Sequence, residues 1–105
     1  MAISQVFVWH PRPGRIADFM AIVRKADKIF RGLGATTRTL NRVFGGVPGS
    51  VVYVVETADW RAFGDFNAKL QADKAWLALI GDVNSTEKTA GDLLSSAVYS
   101  EIPLD

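Results

Sequence analysis

Seven side chains carry whatever chemistry this sequence holds: Trp9, His10, Arg38, Arg42, Tyr53, Glu56 and Tyr99. His10 is the only histidine, and so the only side chain whose ordinary pKa lets it take and return a proton near neutral pH. It leaves an apolar run and precedes two prolines in HPRP, where its other role is that of a plain turn residue. Arg38 and Arg42 alternate with Leu40. On a strand this spacing puts both guanidinium groups on one face, where they can grip a carboxylate or phosphate as the ligand-binding pair. Charge along an edge strand also discourages edge-to-edge pairing, and that explanation needs no ligand. Glu56 ends a strongly apolar run, either as a general base or as the solvated mouth of a sheet. Trp9, Tyr53 and Tyr99 all fall in segments of strand character. If their face points into the space between two sheets, they line an apolar chamber with a few polar tips; otherwise they fill a dimer core.

Other chemistries lack their residues. The chain has no cysteine, which removes disulfides, thiolate nucleophiles and thiolate-ligated metals together. With no second histidine, any metal site would have to come from His10 with carboxylates alone, so no metal and no cofactor is expected. There is no phosphate-binding glycine pattern between strand and helix, no Gly-x-Ser-x-Gly elbow and no His-Glu-x-x-His pair. With 12 Lys and Arg against 11 Asp and Glu, the net charge of +1 gives no general pull toward nucleic acid. The local run Arg24, Lys25, Lys28 and Arg31 is interrupted by Asp27 and has no interleaved aromatic, as a solvated helix face would. No apolar stretch reaches the roughly 18 residues of a membrane span, and MAISQVFVWHP lacks the features of a signal peptide, so a cytoplasmic location is expected.

At 105 residues, about half of them apolar, the chain has room for one domain and one core, residues 1–105. Two segments, QVFVW (residues 5–9) and SVVYVVE (residues 50–56), are apolar on both strand faces, which places them in the middle of a sheet covered above and below. HPRPG then reads as a turn. From Arg15 to Leu33 the residues Ile16, Phe19, Met20, Val23, Ala26, Phe30 and Leu33 recur at spacings of three and four, the stripe of a helix that packs by one face, with Gly32 or Gly34 as its stop. TTRTLNRVF (residues 36–44) is a mixed, edge-type strand, joined by GGVPG to the central one as an antiparallel hairpin. Asp59 caps a helix with a buried stripe of Trp60, Phe63, Phe66 and Leu70, and Asp73 starts a second short helix carrying Trp76, Leu77 and Ile80. A polar loop, VNSTEKTAGD (residues 83–92), leads to a last mixed strand, LLSSAVYSEI (residues 93–102), at the other edge.

Strand, helix, strand, strand, helix, strand is the ferredoxin-like βαββαβ order: an α+β fold with a four-stranded antiparallel sheet and helices on one face. The helix-free face then carries apolar side chains that nothing in the chain covers, and a second copy packing sheet to sheet is the simplest cover. The passage VVYVVETADWRAFGDFNAKLQADKAWLALI, Val51 to Ile80, with its acidic strand end, aromatic helix opening and second short helix, resembles the dimeric α+β barrel superfamily, which includes NIPSNAP-like and antibiotic-biosynthesis monooxygenase-like proteins. The resemblance implies a homodimer associating through sheet faces, and members range from oxygenases and isomerases to proteins of no known reaction. In its haem-degrading branch a histidine on the second helix holds the iron; here residues 59–82 contain none, and that role is not carried over. Three functions follow: a binder of a small, largely apolar molecule between sheets, a cofactor-independent monooxygenase or isomerase acting on an aromatic, polyketide-like or lactone substrate with His10 or an arginine in the proton or oxyanion role, and a structural interaction module.

Overall fold

The two doubly apolar segments lie side by side at the centre of one sheet. In the computed structural model, which describes residues 1–83 and 89–104, the elements run β1 (Ile3–Pro11), α1 (Ile16–Gly32), β2 (Thr36–Asn41), β3 (Val51–Thr57), α2 (Trp60–Ala72), α3 (Lys74–Val83) and β4 (Gly91–Ser100). The sheet order is β2-β3-β1-β4 and every neighbouring pair is antiparallel. This is the α+β, ferredoxin-like arrangement, with the mixed strands at the edges. The register pairs Val6 with Val54, Phe7 with Tyr53 and Val8 with Val52. Directly opposed residues share a face, so Gln5, Phe7, Trp9, Val51, Tyr53 and Val55 look toward the helices. Ser4, Val6, Val8, His10, Val52, Val54 and Glu56 look away from them.

Local signals account for most boundaries. Gly34, at φ +98°, ends α1: its amide donates to Arg31 O (3.1 Å) and that of Ala35 to Phe30 O (3.2 Å), the pair of bonds that closes a helix through a left-handed residue. Asp59 Oδ1 accepts from the Ala62 amide at 2.8 Å and starts α2. Asp73 Oδ1 accepts from the Trp76 amide, also at 2.8 Å, and starts α3 immediately after α2 stops, so the second helix is split as its interrupted pattern implied. Three helices, rather than two, therefore flank one face of the sheet.

Several boundaries differ from the sequence reading. β1 continues through His10 and Pro11, where a turn was expected; the proline lacks a donor, and the next amide, Arg12, donates to Ala90 O at 2.8 Å. β2 stops at Asn41 rather than Phe44. The Arg42 amide still donates to Ser50 O (3.0 Å), while Ser50, fully buried, donates its hydroxyl to Val47 O (2.7 Å) and ties the loop down. Val43 and Phe44 are left exposed, Phe44 at 93%. Trp60 is likewise exposed and packs edge to face on Phe63 at 5.7 Å, so the buried stripe of α2 is Phe66 flanked by Leu70. β4 starts at Gly91, and the part of the expected polar loop at residues 84–88 lies outside the described residues.

The core has two clusters. One gathers Phe30, Ala35, Tyr53, Val55 and Phe66, with Phe7, Val23, Leu70 and Trp76 against it; the other gathers Phe19, Val51 and Ala90, with Trp9 and Val23 against it. Between Val8 and Trp9 the pairing with β4 shifts from Ser95 to Leu93, leaving Leu94 as the extra residue of a bulge. Near that bulge Gly91 is approached closely: a Cβ there would lie 2.7 and 2.8 Å from ring atoms of Phe19 and 3.3 Å from the His10 carbonyl. Phe19 is itself buried and has little room to yield. Gly91→Ala is expected to lower stability by about 1–3 kcal/mol, the usual cost of overpacking, measured as a drop in the urea midpoint.

Candidate functional site

Flat side chains meeting from several directions do not fill the space between them. Phe7 and Trp9 on β1, Tyr53 on β3, Phe19 and Phe30 on α1 and Trp76 on α3 line a partly open cavity of about 340 Å³ between the sheet and the helices. Phe30 closes one side, with ring centroids 5.7 Å from Tyr53, 5.6 Å from Phe66 and 4.9 Å from Trp76. Trp9 and Phe19 close the other, 6.0 Å apart. The volume lies in the range of pockets for small organic molecules. It is also roughly twice that of an engineered apolar cavity that takes up benzene, so two or three fused rings match it.

The polar content of the wall is small. Among the described residues no Asp, Glu, Lys, Arg or His lines the cavity; the side chains there with polar atoms are Gln5, Tyr53 and Asn67, with the indole N–H groups of Trp9 and Trp76. Asn67 donates through Nδ2 to Phe63 O at 2.8 Å, one turn back on α2. The Tyr53 hydroxyl donates to Asp27 Oδ1 at 2.8 Å. Asp27 also accepts from the Thr37 hydroxyl, and Arg31 Nε bridges Asp27 Oδ2 (3.0 Å) and Thr37 Oγ1 (2.9 Å). Burial pushes the Tyr53 phenol up, and the hydrogen bond to the Asp27 carboxylate and its charge push it further, so Tyr53 stays a neutral donor throughout the physiological range. Burial alone would raise the Asp27 carboxyl; hydrogen bonds from Thr37 and Tyr53 and the charge of Arg31 outweigh it and hold the group below its usual value.

The sequence-nominated residues separate onto two sides of the sheet. Trp9 and Tyr53 line the cavity. Tyr99 pairs in register with Ser4, which places it on the helix-free face, so the three aromatics do not share a chamber. Glu56 is on that face too and accepts from the Ser4 hydroxyl at 3.4 Å. Arg38 sits opposite Val54, and His10 opposite Asp92, whose carboxylate is held by Arg12 at 3.0 Å. Arg42 lies beyond the end of β2, with its guanidinium against Gly46, so Arg38 and Arg42 do not form a pair along one strand. This cavity lies on the helix side of the sheet, where the odd-numbered residues of β1 carry the larger rings; a chamber between two sheets would need a second copy of the chain.

Asp27, Thr37 and Gln5 were missed. Asp27 interrupts a cationic run in the sequence, yet it falls four residues after Val23 and three before Phe30, on the buried stripe of α1. A carboxylate at that position needs partners, and that spacing was the available signal.

The Asp27 carboxyl has a folded-state pKa below its unfolded value of about 3.9. It therefore contributes stability above that pH, and the contribution is lost as pH falls through the folded-state pKa. Asp27→Asn is expected to cost about 1–2 kcal/mol at pH 7, in line with hydrogen bonds to a charged acceptor less the screening of the exposed Arg31. The gap to wild type should close below about pH 4, as read from urea denaturation at a series of pH values.

No protein-family model and no curated protein sequence matches the chain. Solved structures do share its fold. A NIPSNAP family protein from Agrobacterium tumefaciens is 20% identical, with a TM-score of 0.71 over 99% of this chain and 87% of that one. An uncharacterized NIPSNAP domain protein from Burkholderia xenovorans is 18% identical, with a TM-score of 0.71 over 99% and 95%. SnoaB, a cofactor-independent oxygenase from Streptomyces nogalater, is 11% identical, with a TM-score of 0.68 over 98% and 95%. At these identities the likeness is one of fold.

Proposed function

We propose that this α+β barrel chain binds a small, largely apolar molecule in the cavity between its sheet and its helices, and that it works as a cytoplasmic homodimer. The observation that supports binding is the cavity itself: an aromatic wall around about 340 Å³, in a chain small enough that such a space weakens an already modest core. Support for the dimer comes from the helix-free face. Val6, Val8, Val52 and Val54 form its centre, and Leu40 and Tyr99 beside them are 45% and 57% exposed. Ser4, Arg38 and Glu56 sit among them as polar groups, the mixed make-up of a subunit interface. No helix among the described residues is long and apolar enough to cross a membrane.

The oxygenase activity of SnoaB, whose fold this chain shares, favours a second reading: a cofactor-independent monooxygenase or isomerase for an aromatic, polyketide-like or lactone substrate. In that reading Trp9 and Tyr53 hold the substrate. Binding alone is preferred because no lining side chain among the described residues is a base at neutral pH, and His10 is on the far side of the sheet. A structural interaction module is the remaining reading.

Thermal unfolding with two-ring aromatic ketones, lactones and quinols separates these. A ligand at a hundredfold excess over its Kd adds about 2.7 kcal/mol, a rise of roughly 10 °C or more for a domain of this size. Stabilisation without oxygen consumption or product supports the binder; turnover supports the enzyme; neither overturns both. Ala26→Phe, which fills the cavity from α1, is expected to abolish the shift.

The dimer has its own test. Val8→Glu places a charge at the centre of the helix-free face and is expected to halve the mass seen by light scattering while leaving ligand binding in place. A monomeric wild type would refute the dimer.

A further inference from the structure

We infer that Gln5 is the specificity-determining residue of this cavity and that it selects an uncharged ligand carrying a carbonyl group. The inference rests on the binding reading above. Gln5 lies in the middle of a central strand, with Val55 opposite on one side and Val98 on the other. Ile3 and Phe7 flank it along the same face, and Ile3 is fully buried. None of these neighbours has a side-chain group to bond an amide, and the Gln5 carboxamide has no hydrogen-bond partner among the described residues. Its side chain lines the cavity. No buried side-chain nitrogen or oxygen among the described residues lacks a partner, so the half-buried Gln5 amide keeps some access to solvent; even so, glutamine gains little from a strand position that β-branched residues fill better. Of the other polar groups on the wall, Asn67 donates to Phe63 O and Tyr53 to Asp27, and the indoles of Trp9 and Trp76 each offer one N–H and no acceptor.

What an unpaired carboxamide can recognise is limited by its own chemistry. Its nitrogen donates and its oxygen accepts, and neither carries charge. With no cationic side chain lining the cavity among the described residues, an anionic ligand would leave its charge uncompensated in an apolar space, which is strongly unfavourable. A ketone on an aromatic skeleton presents an acceptor to the Gln5 amide nitrogen and leaves no charge to bury. A hydrocarbon of the same shape fills the space but leaves the amide unpaired.

Three naphthalenes with planar substituents of similar size test this: 2-acetylnaphthalene, 2-isopropenylnaphthalene and 2-naphthoate, each titrated by tryptophan fluorescence, which Trp9 and Trp76 on the cavity wall supply. In wild type the ketone is expected to bind, and the carboxylate to bind at least about a hundredfold more weakly. Gln5→Leu is expected to reduce the preference for the ketone over the hydrocarbon by about tenfold, the size of one hydrogen bond, while raising the melting temperature because leucine adds apolar contact to the wall. Gln5→Met serves the same comparison should the leucine variant not fold. An unchanged preference in the variant, or a carboxylate that binds wild type as well as the ketone does, overturns the role of Gln5 and leaves the cavity reading standing. Failure of all three compounds to bind wild type overturns the cavity reading, and the role of Gln5 with it.

Discussion

The phenyl ring of Phe30 joins the layers of this protein. From α1 it touches Tyr53 of β3, Phe66 of α2 and Trp76 of α3, with centroid separations of 5.7, 5.6 and 4.9 Å. Edge and tilted contacts of this kind add roughly 0.5–1.5 kcal/mol per pair beyond burial, and deleting a buried phenylalanine costs about 3–5 kcal/mol. For a domain whose total stability is of the order of 5–15 kcal/mol, a large share depends on one side chain. The split of the second helix follows from the same contact. After the break at Asp73, whose carboxylate caps α3, Trp76 meets Phe30.

That arrangement also creates the cavity. Phe30 draws α2 and α3 toward one end of the sheet, while Phe19 and Trp9 hold the other end together with Ala90. Val23, which packs against both clusters, is too small to fill what remains between them. Tyr53 is prevented from closing the gap by rotating inward because Asp27 holds its hydroxyl, and Asp27 is in turn fixed by Thr37 and Arg31. A polar network at the junction of α1, β2 and β3 thus keeps an apolar space open.

Much of the architecture was legible in the residues. QVFVW and SVVYVVE could only be central strands, Asp59 and Asp73 announced their helices by position, and a glycine was needed to end α1. What could not be read was which apolar residue faced which side. On a strand that is apolar on both faces, alternation carries no information, so Trp9, Tyr53 and Tyr99 looked equivalent. Register alone separates them: Tyr99 opposes Ser4, and Tyr53 opposes Phe7. Arg42 was misplaced for a related reason. Strand propensity runs on through Val43 and Phe44, but the ladder stops where Ser50 takes the last bond from the Arg42 amide, a tertiary event with no local signature.

The two faces of this sheet are apolar for different physical reasons, and their polar residues show it. On the helix-free side the polar groups pair with one another or sit at the margins, as Ser4 does with Glu56; such a surface loses little when another surface covers it, because the groups at its edge keep water or find partners. On the helix side Gln5, half-buried and without a hydrogen bond among the described residues, sits at the middle of the strand opposite two valines and lines the cavity. Packing alone favours valine or isoleucine at that position. A polar group in the middle of an apolar strand, facing an open space, is placed to meet what enters that space, and this is why the helix side, rather than the apolar surface opposite, is where the function of the chain is to be sought.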